Sequence, residues 1–377
     1  MGRTQLKTKL RRKVFVEETQ QPAAPAPTVE ALLEKAQTLI VQCDYELARK
    51  FIQRALEQRP DNALAKEMLG VSHLELGELE QAKQIFTSLI SEGGPSPPPP
   101  SAHLYLAQLS EGDPHTALRH YQAAVDILST QLKGKERATD DNPDEGEVRK
   151  NIVGALIAQV EVWMDPEYDL CFDPAAEKTC EDLLATALQV DPGNSEALSS
   201  LASVRMSQQR PDDARKCLEE AWNRWKDLEL DDPKLPPLES RISIVKLFLE
   251  LGMFNEALLV LNGIMAEDDQ DVEAWYLEGW CFFMMAERAR ESGGALDDSE
   301  LTFENLARDA RDCLEACRTI HTNLGHPDKP LLEHAQELIQ QLDAAGIKPS
   351  PLEEDGDGND EGEWEDEDSG DEDVQMQ

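Results

Sequence analysis

Bases are scarce in this chain. Against 76 Asp and Glu residues stand 36 Lys and Arg, a formal net charge of −40 over 377 residues. A field of that sign repels phosphate backbones and anionic membranes and steers basic partners inward, so direct binding to nucleic acid or membrane is not expected. The imbalance is not confined to one tail. Setting aside the 14 acids of residues 353–373 and the six bases of residues 1–13 still leaves −32 on the middle of the chain. Long apolar runs are missing too: the longest, 152–157 and 275–285, are too short for a bilayer-spanning helix. The basic N-terminus has no apolar stretch behind it, so it does not read as a secretion signal.

Other absences concern chemistry. The seven cysteines (Cys43, Cys171, Cys180, Cys217, Cys281, Cys313 and Cys317) are odd in number and scattered, which suits a reducing compartment better than a disulfide framework. Cys313 and Cys317 lie one helical turn apart, but no convergent histidine or second pair accompanies them, so they read as small packing residues and not as metal ligands. There is no Gly-rich phosphate loop, no metal-spaced Cys or His set and no nucleophile in a recognisable motif. Catalysis, a metal and a cofactor are therefore not expected.

What the chain does have is a period. Ala36, Ala48, Ile52 and Ala55 recur as Gly70, Ala82, Phe86 and Leu89, each displaced by 34 residues. This spacing of small and large residues resembles the tetratricopeptide repeat, a helix-turn-helix unit of about 34 residues that stacks into a superhelix. The resemblance implies an all-α fold, a right-handed α-solenoid, over 29–346. Aligned on the small residues, the repeats fall at 29–62, 63–96, 98–132, 148–194, 195–233, 238–271 and 272–320. Ala107 lies only ten residues before Ala117, so the third repeat is irregular. The polar stretch 133–147 reads as an exposed linker, 165–174 as an insertion in the fourth repeat, and 286–300 as a prolonged first helix in the seventh, broken at Gly293 and Gly294. Residues 330–346, with Pro330 at the start and Gly346 after the end, read as a capping helix. Residues 1–28 read as a basic flexible tail and 347–377 as an acidic one too polar to offset its ordering entropy.

In this repeat family the inner wall is lined by the second, fifth, ninth and twelfth positions of each first helix. Carried onto this chain, the resemblance nominates Glu67 and Leu74 in the second repeat, Glu196 in the fifth, Glu239, Ile242 and Leu249 in the sixth, and Glu273, Tyr276, Trp280 and Phe283 in the seventh, with Met284 adjoining. Trp275 is expected to fill the consensus core position. Such a wall is acidic and aromatic, suited to an extended segment with Lys or Arg among apolar residues. The acids of 140–147, 227–232 and 268–271 read either as ordinary solvated loops or as an extension of the attractive field. The Lys and Asn clamp with which related repeats grip the carboxylate tail of heat-shock chaperones is absent: its positions hold Leu33 and Gln37, Glu67 and Val71, Ser199 and Ser203, Ile242 and Lys246, Tyr276 and Trp280.

The tails leave choices open. Arg3, Lys7, Lys9, Arg11, Arg12 and Lys13 suit a nuclear import signal, an RNA-contacting arm or a merely solvated tail. The run Gly362-Glu363-Trp364-Glu365-Asp366-Glu367-Asp368 is either a polyanion that screens a basic client or a solubilising tail. Taken together, seven irregular repeats, insertions in the fourth and seventh, the basic N-terminus and this acidic run resemble the fungal-type assembly chaperones dedicated to large-subunit ribosomal protein four. That resemblance implies a newly made basic ribosomal client, held by its long internal loop and kept from aggregating on its way to 60S assembly. It also implies a monomer in one-to-one complex with the client, import receptors as further partners, and residence in nucleus and cytoplasm. A scaffold subunit of a stable regulatory or degradation complex is the other class this sequence suits.

Overall fold

The computed structural model describes residues 27–135, 143–293 and 301–350. Both tails, Asp140, Asp141 and Gly294 fall wholly or largely outside those residues. Among the described residues every regular element is helical, with fifteen α-helices, two 3-10 turns and no strand. The chain divides into two compact units, Met1–Pro192 and Gly193–Gln377.

The first unit pairs α1 (Val29–Val41) with α2 (Tyr45–Gln58), α3 (Ala63–Glu75) with α4 (Leu79–Ile90), α5 (Pro100–Gln108) with α6 (Pro114–Lys135), and α7 (Pro143–Met164) with α8 (Ala176–Val190). Short polar residues start several of the helices. Thr28, Asp44 and Asn62 each accept a hydrogen bond from the backbone N–H three residues on, at 3.3, 3.1 and 2.8 Å. The periodic residues are the crossing points: Ala36, Ala48, Ile52, Ala55, Ala82, Phe86 and Leu89 are fully buried. Ala36 with Ile52 becomes Gly70 with Phe86, and the size exchange has a direct cause. A Cβ on Gly70 would stand 2.6 Å from the Phe86 ring, which is itself stacked on Tyr105 with centroids 4.7 Å apart.

One segment of the first unit differs from the sequence reading. Residues 133–135 continue α6, and α7 begins at Pro143, five residues ahead of Val148. The 143–147 part of the supposed linker is therefore helical, with Pro in its first turn and acids at a helix N-terminus, where the macrodipole favours them. Arg149 fixes this end by bonding Glu145 at 2.6 Å and the Val190 carbonyl at 2.8 Å. The insertion at 165–174 folds as 3-10 turns, Pro166–Tyr168 and Leu170–Phe172, with Leu170 buried. The irregularity of the third repeat is local: α5 has only nine residues, starting at the last proline of 97–100.

The second unit pairs α9 (Ser195–Ser207) with α10 (Pro211–Trp222), α11 (Leu238–Glu250) with α12 (Phe254–Glu267), and α13 (Val272–Glu291) with α14 (Phe303–Leu324), followed by α15 (Lys329–Ala344). Gly279 repeats the role of Gly70, since a Cβ there would lie 2.7 Å from Leu314 Cγ and 3.1 Å from its backbone nitrogen. Helix α15 buries Leu331, Ala335, Leu338, Ile339 and Leu342 on one face. Arg311, 7% exposed, ties it to α14 by bonding Asp343, Glu315 at 3.1 Å and the Ile347 carbonyl at 2.9 Å. Residues 347–350, read as tail, are held here: Ile347 packs on the core and Ser350 N–H donates to Asp312 at 2.9 Å.

Candidate protein-binding walls

Three of the four acids nominated for the wall share a second property that follows from helix physics alone. Glu196, Glu239 and Glu273 each occupy the first turn of their helix, α9, α11 and α13, where a negative charge is stabilised by unpaired N–H groups. Glu239 is exposed. Glu196 is exposed and accepts a hydrogen bond from Ser240 at 3.4 Å, linking α9 to α11. Glu273 is paired with Lys246 of α11 at 2.7 Å. That pair is half exposed and contributes at most about 1 kcal/mol.

The aromatic end is assembled from two helices. Tyr276, Trp280, Phe283 and Met284 on α13 are all half-buried. The Tyr276 and Trp280 rings lie 5.9 Å apart, and His334 of α15 stands 5.8 Å from each. Tyr276 Oη and His334 Nδ1 are 2.8 Å apart. Burial, with the nearby Cys317, Asp328 and Glu273, pushes the Tyr276 hydroxyl up to about 12, so it stays a neutral hydrogen-bonding group. His334 was missed because the supposed cap was read only for its apolar face. Trp275, assigned to the core, is half-buried and donates its indole N–H to the Asp269 carbonyl at 2.8 Å.

Ile242 and Leu249 do not belong to a surface. They are 5% and 1% exposed. Helix α11 packs against α9, α12 and α13, and its apolar residues on several faces, Ile244, Val245 and Phe248 included, are covered by these neighbours. The loop acids likewise have local roles: Asp271 caps α13 by accepting from Ala274 N–H at 2.7 Å, and Asp268 accepts from Gln270 N–H at 2.9 Å.

In the first unit Glu67 and Leu74 of α3 are half-buried. Tyr105 of α5 joins them, its hydroxyl pushed up by burial and by the charges of Glu67 and Glu75. The irregular third repeat hid Tyr105 from register-based reading. Beside α1, a cavity of about 360 Å³ is bordered by Glu30, Leu33, Glu34, Gln37, Leu64 and Met68, an apolar floor with an acidic rim. The described cysteines are free thiols, and Cys313 donates to Glu278 at 3.4 Å. Among the described residues no group of three or more His, Cys, Asp or Glu is placed to hold a metal ion, and no helix is long and apolar enough to cross a membrane.

Helix pairs repeating at 34 residues, crossing at a small residue set against a large one, define a tetratricopeptide-repeat protein. The Tetratricopeptide repeat family model matches residues 39–98 and 181–227. Relatives then narrow the class. A probable assembly chaperone of rpl4 from Emericella nidulans is 31% identical over 355 residues, 89% of this chain and 87% of its own length. The Schizosaccharomyces pombe counterpart is 32% identical over 319 residues, 83% of this chain and 88% of its own. The solved structure of the assembly chaperone of RpL4 (Acl4, residues 1–338) matches with a TM-score of 0.62 at 31% identity, covering 71% of this chain and all of that one. The chain belongs to the family of rpl4 assembly chaperones.

Proposed function

We propose that this protein is a dedicated assembly chaperone of ribosomal protein rpl4. The observation that carries the reading is the likeness to rpl4 chaperones at 31–32% identity across more than four fifths of the chain. The described surfaces support it. Each unit presents half-buried aromatics beside carboxylates: Tyr105 with Glu67 and Glu75, and Tyr276, Trp280 and Phe283 with Glu273. Such surfaces suit a basic client in which apolar side chains anchor and cations set register and on-rate. In this reading the newly made client is held by its long internal loop in a one-to-one complex, shielded from aggregation, and accompanied with import receptors from cytoplasm to nucleus for 60S assembly.

The test is capture of rpl4 by the tagged full chain at low and at high salt. Wild type recovers free rpl4, more weakly as salt rises. Trp280→Ala or Phe283→Ala lowers affinity at least tenfold, about 1.4 kcal/mol or more. Glu239→Lys with Glu273→Lys slows association and flattens the salt dependence. Unchanged binding by all of these in folded protein, or recovery of a stable multi-subunit complex without rpl4, would overturn the proposal.

A further inference from the structure

The segment joining α10 to α11 borders, with α12, a cavity of about 350 Å³ walled by Trp222, Trp225, Leu230, Arg241, Leu259 and Val260. That volume falls in the range of about 300–1,000 Å³ typical of ligand pockets. None of these residues was nominated for the client wall, and Leu259 and Val260 sit on a return helix, not a first helix.

Three features say what the cavity lacks. Trp225 and Arg241 are only 5% and 4% exposed, yet the indole Nε1 and the guanidinium Nε have no hydrogen-bond partner. The remainder of the Arg241 fork is spent on Glu267, at 2.8 and 2.6 Å. Leaving a buried donor unmade is destabilising, so these two groups are short of an acceptor. Second, Leu230 and Leu259 stand 49% and 59% exposed, an apolar rim without cover. Third, the connecting segment carries Asp227, Glu229, Asp231 and Asp232 against Lys226 and Lys234, and of these Asp227 and Lys226 border the cavity itself, so the segment beside it is net negative.

We propose that this cavity is a second protein-binding site. It takes one bulky apolar side chain from an extended segment of a partner polypeptide, flanked there by Lys or Arg. A main-chain carbonyl of that segment accepts the Trp225 indole proton, the inserted side chain covers Leu230 and Leu259, and the flanking cations meet Asp227 and the other acids of the α10–α11 connection. The inference stands on the cavity alone and does not depend on rpl4 being the client.

The experiment titrates the full chain with a synthetic nonapeptide carrying a central Phe between lysines, against the same peptide with Gly at its centre, while following the tryptophan indole N–H resonances. Trp225→Phe assigns the reporter. The Phe peptide is expected to shift the Trp225 resonance and the Gly peptide to leave it in place. Leu259→Lys, at an exposed position that folding tolerates, lowers affinity at least tenfold, whereas Trp280→Ala leaves the Trp225 response intact. The proposal is overturned if Trp225 does not move up to millimolar peptide, if Leu259→Lys binds as wild type does, or if Trp280→Ala abolishes the response.

Discussion

Gly279→Ala sets two physical effects against each other, and the structure decides the sign. In an open helix interior the change stabilises by up to about 1 kcal/mol, because glycine has more conformational freedom to lose. Here the new Cβ lies 2.7 Å from Leu314 Cγ, 3.0 Å from its Cδ2 and 3.1 Å from its backbone nitrogen. Leu314 is fully buried, and a backbone atom of α14 cannot step aside without moving the helix. Overpacking of this kind costs about 1–3 kcal/mol, so the net expectation is a loss of about 1 kcal/mol. Gly263→Ala on α12 is the control: its Cβ meets nothing within 4 Å, and it should gain a few tenths to about 1 kcal/mol. Urea denaturation followed by far-UV circular dichroism, with equal slopes, reads both midpoints. Leu314→Ala alone should cost about 2–5 kcal/mol. Combined with Gly279→Ala it should cost less than the sum by about 1 kcal/mol, because the new methyl enters the space vacated. If Gly279→Ala stabilises as Gly263→Ala does, or if the pair is additive, the close approach of α13 to α14 is not the constraint claimed here.

Two titrations give further predictions. Glu278 is 8% exposed with a thiol, Cys313, donating to it, and burial raises its carboxyl above the ordinary 4.5. The folded state then holds this proton more tightly than the unfolded, so stability falls as pH rises above about 4.5. Glu278→Gln should raise neutral-pH stability by about 1 kcal/mol and flatten that slope in calorimetric scans from pH 5 to 8. His103 and His120 face each other at 3.0 Å, and burial lowers both below the ordinary 6.5. The unfolded chain therefore takes up protons first, and the stability of the first unit should fall as pH drops through about 6.5. His120→Gln should weaken that dependence, and an unchanged acid limb in hydrogen-exchange rates of α5 and α6 would count against the pairing.

Much of the helical order was legible because it is local. A small residue every 34 positions, a polar cap three residues ahead of an N–H, and proline or glycine at a helix end act within one hairpin, and these account for α1 to α4 and α9 to α15. The site was legible only in part. Tyr276, Trp280, Phe283 and the first-turn acids were nominated by register along a single helix, and the structure leaves them half-buried or exposed. Ile242 and Leu249 had the same register and are core, since α9 and α13 close over α11. Tyr105 escaped because a nine-residue helix broke the register, and His334 because its partners lie 58 and 54 residues away in sequence.

The sequence by itself determined the repeat, the helix termini, the residues at which paired helices cross, and a charge that calls for a basic partner. These rest on propensity, capping, side-chain volume and net charge, none of which needs a distant neighbour. Only the tertiary structure decided which wall positions remain open, that Lys246 pairs with Glu273, that His334 joins the aromatic cluster, and that Trp225 and Arg241 hold unmet donors beside a cavity. Each of these depends on how far one helix pair turns over the next, a quantity set by packing between residues that no period in the chain brings together.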